Sequence, residues 1–120
     1  MEPMIDKTQF GNITISGKRY EYDVVIRLDG HVEKRKKKLS KVKYGTSHKI
    51  SLEEAEYIYQ EGAQELIIGT GQVGYVQLSG EAEEYFNEHE CPVKLLPTPQ
   101  AVRVWNVLEG KVIGMFHVTC

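Results

Sequence analysis

Long apolar runs are missing from this 120-residue chain; none approaches the roughly 18 residues that a membrane-spanning helix requires. The first ten residues, MEPMIDKTQF, carry acids where a secretory leader carries basic residues followed by an apolar stretch. A cytoplasmic protein is therefore expected. Cysteine is scarce. Cys91 and Cys120 form no CxxC pair, and the four histidines are scattered, so neither a zinc site nor a CxxC redox motif is indicated. No internal repeat or low-complexity linker interrupts the chain, and residues 1–120 read as one domain. With 41% hydrophobic and 27% charged residues, the composition suits one core that needs no disulfide or metal.

Net charge is only −2, but its distribution is uneven. Between Lys34 and Lys49 there is no acid, whereas Arg35, Lys36, Lys37, Lys38, Lys41 and Lys43 all lie in that interval. Such a run meets phosphates or an acidic protein surface, or is a solvated loop or edge strand whose lysines deter aggregation. No aromatic residue interleaves EKRKKKLSKVK, so bases have no evident stacking platform and nucleic acid is the disfavoured partner.

Periodicity supplies the architecture. FGNITIS alternates at strand spacing, Gly17-Lys18 reads as a turn, and RYEYDVVIRL as a longer strand. Asp29-Gly30 is a hairpin signal, and HVEKRK returns as an exposed strand. The N-terminal third thus reads as an antiparallel β meander. Ser51 and Glu54 then match a capping box ahead of a helix stripe of Leu52, Ala55, Ile58 and Tyr59, with Gly62 as C-cap. ELIIG is a buried strand, Ser79 caps a helix over Gly80–Glu88, and CPVKLL is a strand. Thr98 is expected to cap a third helix, with Pro99 in its first turn, that buries Ala101, Val102, Val104, Trp105 and Leu108 and ends at Gly110. KVIGMFHV is the last strand. Strands separated by helices of about ten residues imply an α/β domain with a largely parallel sheet.

Gly69-x-Gly71-x-x-Gly74 has the spacing of a dinucleotide fingerprint. That fingerprint works because its turn runs directly into a helix whose amides hold the pyrophosphate. Here YVQLS intervenes, and the next strand ends in KLLPT with no acid for a ribose, so no NAD(P) or FAD cofactor is expected. The glycines instead suggest a tight connection at the C-terminal edge of a parallel strand, where polar or anionic ligands favour binding. Gly69, Thr70, Gly71 and Thr98 would share that edge, with Thr46, Ser47, His48 and Arg103 as further ligand-binding candidates. Asp23, just before VVI, reads as a paired carboxylate. Ser47 and His48 are chain neighbours that point opposite ways on a strand and form no dyad.

Four motifs occur in order: GTSHKIS at 45–51, IIGTGQVG at 67–74, LLPTPQAVRVWN at 95–106 and the final HVTC. Together they closely resemble the Mth-type domain family. Its eukaryotic relatives include an adipogenesis-associated Mth-domain protein and a mitochondrial complex I assembly factor. The resemblance implies a three-layer domain around a central mixed sheet and no particular reaction. The expectation is a non-enzymatic binding or assembly-factor-like domain with a polar crevice, acting on an unidentified protein or a small anionic ligand, with homo-oligomers possible. The alternatives are an enzyme using His48, Thr70 and Thr98, and electrostatic nucleic-acid binding through Lys34–Lys43.

Overall fold

The computed structural model describes residues 1–120. The chain first forms three short strands, β1 (Ile5–Gln9), β2 (Asn12–Ile15) and β3 (Lys18–Tyr20), which make an antiparallel sheet in that order. The hairpin β4 (Val24–Ile26) and β5 (Val32–Lys34) follows, then α1 (Lys38–Tyr44), β6 (Lys49–Ile50) and α2 (Leu52–Ile58). The remainder alternates: β7 (Glu65–Gly69), β8 (Gln77–Leu78), α3 (Gly80–Glu88), β9 (Val93–Leu96), α4 (Thr98–Val107) and β10 (Val112–Phe116).

The central sheet has the order β5-β4-β10-β7-β9. β10, β7 and β9 run parallel, and the β4–β5 hairpin adds two antiparallel strands at one side. Period-two alternation sends side chains to opposite faces. Val25, Leu66, Ile68, Ile113 and Met115 meet Ala55 and Ile58 of α2 and Ala82 and Phe86 of α3. Val24, Ile26, Ile67, Val112 and Phe116 meet α4, through Ala101, Val102 and Trp105, and the meander residues Ile5, Ile13 and Ile15. Every residue of β10 is buried, as expected for a central strand covered on both faces. The three-layer α/β domain with a mixed sheet and an N-terminal meander is thus the observed architecture.

Local departures have physical causes. RYEYDVVIRL is not one strand: β3 pairs with β2, β4 pairs with β10, and Glu21–Asp23 carry the chain between the two sheets. The β2–β3 hairpin turns at Ser16-Gly17, one residue earlier than expected, because Ile15 pairs with Lys18 and both turn residues have positive φ. The lysine run is neither wholly loop nor wholly strand. Its straight-chain residues are good helix formers, and α1 ends at Gly45 in the left-handed conformation. Arg35, inside that run, is buried rather than solvated.

The caps also differ in detail. Ser51 Oγ accepts from Glu54 N at 3.1 Å, but the Glu54 carboxylate does not return to Ser51 N, which donates to Ser40 Oγ instead. α2 ends at Tyr59 rather than Gly62, and Arg27 donates to the carbonyls of Tyr57 and Ile58 at that end. Ser79 caps α3 as expected, accepting from Ala82 N at 3.1 Å. α4 is entered through Pro97 with no side-chain cap, and its C-cap is Leu108 rather than Gly110.

Candidate functional site

The glycine-rich connection leaves the C-terminal end of β7, beside the start of α4 and the end of β10. Thr98 is not a cap because its hydroxyl has other partners: it donates to His117 O at 2.6 Å and accepts from Gly71 N at 2.9 Å. Thr98 N in turn donates to Gly71 O, and Thr70 N to Leu96 O. Gly69 is required by proximity, since a Cβ there would lie 2.8 Å from Thr98 Oγ1 and 3.0 Å from Phe116 Cδ1. Gly71 has φ +110°, and a Cβ on it would strike the Cys120 carbonyl at 2.4 Å. The glycines of the fingerprint therefore serve close backbone approach, and a turn and β8 follow them, not a helix.

Gly69, Thr70, Gly71 and Thr98 are brought together, but all four are buried. The tail 117–120 lies over the connection, held by Gln72 N to Thr119 O and Tyr75 N to Cys120 O. No cavity is lined by these residues. Arg103 is not part of the group. It lies exposed on α4, about one and a half turns beyond Thr98, and makes no ion pair.

Beneath this edge is a buried charge network that the lysine run concealed. Arg35 Nε donates to Glu54 at 2.6 Å, its Nη1 to Asp23 at 2.9 Å, and its Nη2 to Glu54 and to the Ser47 carbonyl. Ser40 donates to Glu54 and accepts from Ser51 N. Asp23 Oδ2 accepts from His117 Nδ1 at 2.7 Å, and Oδ1 accepts from Val118 N at 2.9 Å. A carboxylate only accepts, so Nδ1 carries the proton and His117 Nε2 faces Thr119 Oγ1 at 3.1 Å. No buried side-chain nitrogen or oxygen lacks a partner.

The electrostatics follow from these contacts. Burial opposes ionisation of Asp23, but the His117 hydrogen bond, the charges of His117 and Arg35, and the Val118 amide outweigh it and hold the carboxyl below its ordinary range. Burial likewise opposes the charge on Arg35, and Glu54 and Asp23 more than offset it. Asp23 is thus the paired carboxylate expected from its position before VVI.

At the solvent rim the candidates are more open. Thr46 Oγ1 accepts from His48 N, a local turn contact, and Ser47 contributes its carbonyl to Arg35. The His48 ring packs edge-on against His117, with centroids 5.3 Å apart, and lies 6.2 Å from the exposed Tyr75 ring. Its Nε2 is 3.8 Å from Cys120 Sγ. Burial, then the charges of His117 and Arg35, hold His48 below the ordinary histidine range, against a smaller opposite pull from Asp23. His117, Arg35, Glu54 and Cys120 were not singled out as site residues from the sequence. Only the order of the motifs around His48 and the final HVTC hinted that these segments meet.

A family profile described as "Protein of unknown function (DUF498/DUF598)" matches residues 5–117. The chain is 36% identical to a conserved hypothetical protein of Pyrococcus horikoshii OT3, over 97% of this chain and 98% of that one, with TM-score 0.88. It is 33% identical to the protein MT938, over 98% of each, with TM-score 0.81. A Mth938-like domain of Bordetella pertussis shares the fold at 15% identity and TM-score 0.65, over 97% of this chain and 85% of that one. With ordered motifs, sheet topology and near-complete coverage in agreement, the chain belongs to the DUF498/DUF598 family, the Mth-type domain of unknown function.

Proposed function

We propose that the protein is a non-enzymatic binding domain whose docking face is the lysine-rich surface around the end of β5 and α1, and whose partner is an acidic peptide segment with an apolar anchor. The observation that carries this reading is the pairing of unspent positive charge with adjoining hollows. Lys34, Arg35, Lys36, Lys37, Lys38 and Leu39 line a cavity of about 320 Å³. Leu39 also lines a second hollow of about 300 Å³ with Val42, Lys43 and Glu53. Lys43 is engaged by Glu53 and Glu81, whereas Lys34, Lys36, Lys37, Lys38 and Lys41 have no carboxylate within ion-pair distance. Val42 is 83% exposed beside them. An apolar floor ringed by cations suits an amphipathic acidic segment, as an assembly-factor-like domain would engage.

Nucleic acid fits this face less well. Its nearby rings each already carry a cation, Tyr57 under Arg27 at 4.7 Å and Lys36 at 4.6 Å, Tyr22 under Lys34 at 5.3 Å and Tyr44 under Lys49 at 4.7 Å, which leaves bases little to stack on. Fluorescence anisotropy with a labelled Glu/Leu-rich peptide tests the proposal. Binding is expected to weaken steeply between about 50 and 200 mM salt and to be lost in Lys37→Glu/Lys38→Glu. Val42→Ser should weaken binding without changing the salt slope. Peptide binding indifferent to the charge reversal, or tighter binding to a single-stranded oligonucleotide, would overturn it.

A further inference from the structure

Cys120 and His48 are 72 positions apart, yet Sγ and Nε2 lie 3.8 Å from each other at the solvent rim. That separation is a hydrogen bond to sulfur, with the imidazole as the adjacent base that a thiol nucleophile requires. The thiol is also held in place. Gly11 N donates to Val118 O, Gln72 N to Thr119 O and Tyr75 N to Cys120 O, so the backbone on which Cys120 sits is tied at three successive residues. The missing Cβ of Gly71 admits the Cys120 carbonyl, and a side chain there would expel it. The thiol is half-buried, not sealed.

The other cysteine is a useful contrast. Cys91 is 1% exposed among apolar side chains, and burial, with the Glu65 charge, pushes its thiol up to about 11. It has neither access nor a base. Several groups face the Cys120–His48 pair. His117 and Thr119 come from the end of β10 and the tail, Asp23 and Arg35 from the network beneath, and Tyr75 from the glycine-rich connection. Burial of His48, and then its charged surroundings, hold it below the ordinary histidine range and favour the neutral form, which is the form able to accept a proton from sulfur.

We propose that Cys120 and His48 form a thiol–imidazole site that exchanges with low-molecular-weight disulfides and carries a small thiol as a mixed disulfide. His48 Nε2 takes the S–H proton as the sulfur electron pair attacks one sulfur of R–S–S–R. The new Sγ–S bond forms while the old S–S bond breaks, and its electron pair leaves on the second thiolate. That thiolate recovers the proton from the His48 imidazolium. One disulfide is consumed and one is formed, so the incoming disulfide is the only oxidant. The attached group would project beside the exposed Tyr75. Arg35 is common to this site's surroundings and the lysine-rich cavity, but the reacting pair itself lies outside that cavity and its test does not depend on peptide binding.

The experiment is the rate of reaction of the intact protein with oxidised glutathione and with 4,4′-dithiodipyridine, with the modified cysteine located by mass spectrometry. An isolated thiol loses about tenfold in rate per pH unit below its pKa. Modification is expected at Cys120 and not Cys91, with a rate nearly flat between about pH 8 and pH 6.5 because neutral His48 supplies the base. His48→Gln should restore the steep dependence and slow the reaction roughly tenfold at neutral pH. A wild-type rate that falls tenfold per unit throughout, or modification at Cys91 first, would overturn the proposal. The wild-type profile decides even if the His48 variant is unstable.

Discussion

Oδ2 of Asp23 lies 2.7 Å from Nδ1 of His117, ninety-four positions later in the chain. The same oxygen accepts from Arg35 Nη1, so one carboxylate joins the entry to β4, the exit of β10 and the residue just beyond β5. Three segments that carry no common sequence signal are thereby locked at one end of the sheet. Removing one member of such a buried set leaves the others charged and unpaired, which costs more than the set contributes net.

Acid should expose this dependence. The folded pKa of Asp23 is held below its ordinary 3.8, so its contribution is fully present above that value and is lost as pH falls through the folded one. Chemical denaturation of the wild type is therefore expected to show stability declining below about pH 4. Asp23→Asn should be destabilised by about 3–5 kcal/mol at neutral pH and show a shallower acid limb. An acid limb identical in the two proteins would assign the decline to other carboxylates.

Trp105 separates core from surface. It is fully buried, sits edge-on to Phe116 with centroids 5.9 Å apart, and donates from Nε1 to Pro3 O at 2.8 Å. Trp105→Ala should cost about 3–5 kcal/mol through lost burial and the cavity left behind. Lys37→Ala, on the solvated run, should stay within about 0.5 kcal/mol. Lys36→Ala removes a contact over the Tyr57 ring and should cost no more than about 1 kcal/mol. Urea midpoints of the three variants measure this; a wild-type midpoint for Trp105→Ala would mean that the ring is not in the core.

The same substitution at two glycines should have opposite signs. Gly69→Ala places a methyl 2.8 Å from Thr98 Oγ1 and 3.3 Å from Thr98 Cα, forcing β7 and α4 apart. A loss of about 1–3 kcal/mol is expected. Gly80→Ala, at the first residue of α3, meets nothing within 4 Å and should gain about 0.4–1 kcal/mol by restricting the unfolded chain. Thermal melts of both variants test the pair, and destabilisation by both would undermine the close-approach account of Gly69.

The sequence by itself determined the elements whose signal is local. ELIIG and KVIGMFHV are buried because a continuous apolar run needs cover on both faces, and Ser79 starts α3 because its hydroxyl reaches an amide three residues on. The inward position of Trp105 followed from helical spacing, since periods of two and 3.6 residues are written in neighbouring positions. Tertiary structure alone decided what Arg35 does, because a guanidinium among lysines reads as solvated until Asp23 and Glu54 arrive from separate segments. It likewise turned Thr98 from a cap into a bridge between Gly71 and His117, and set His48 against Cys120. Such pairings leave no period in the chain: which polar groups meet is set by how the two packed faces of the sheet bring its ends together, and burial then requires that each find a partner.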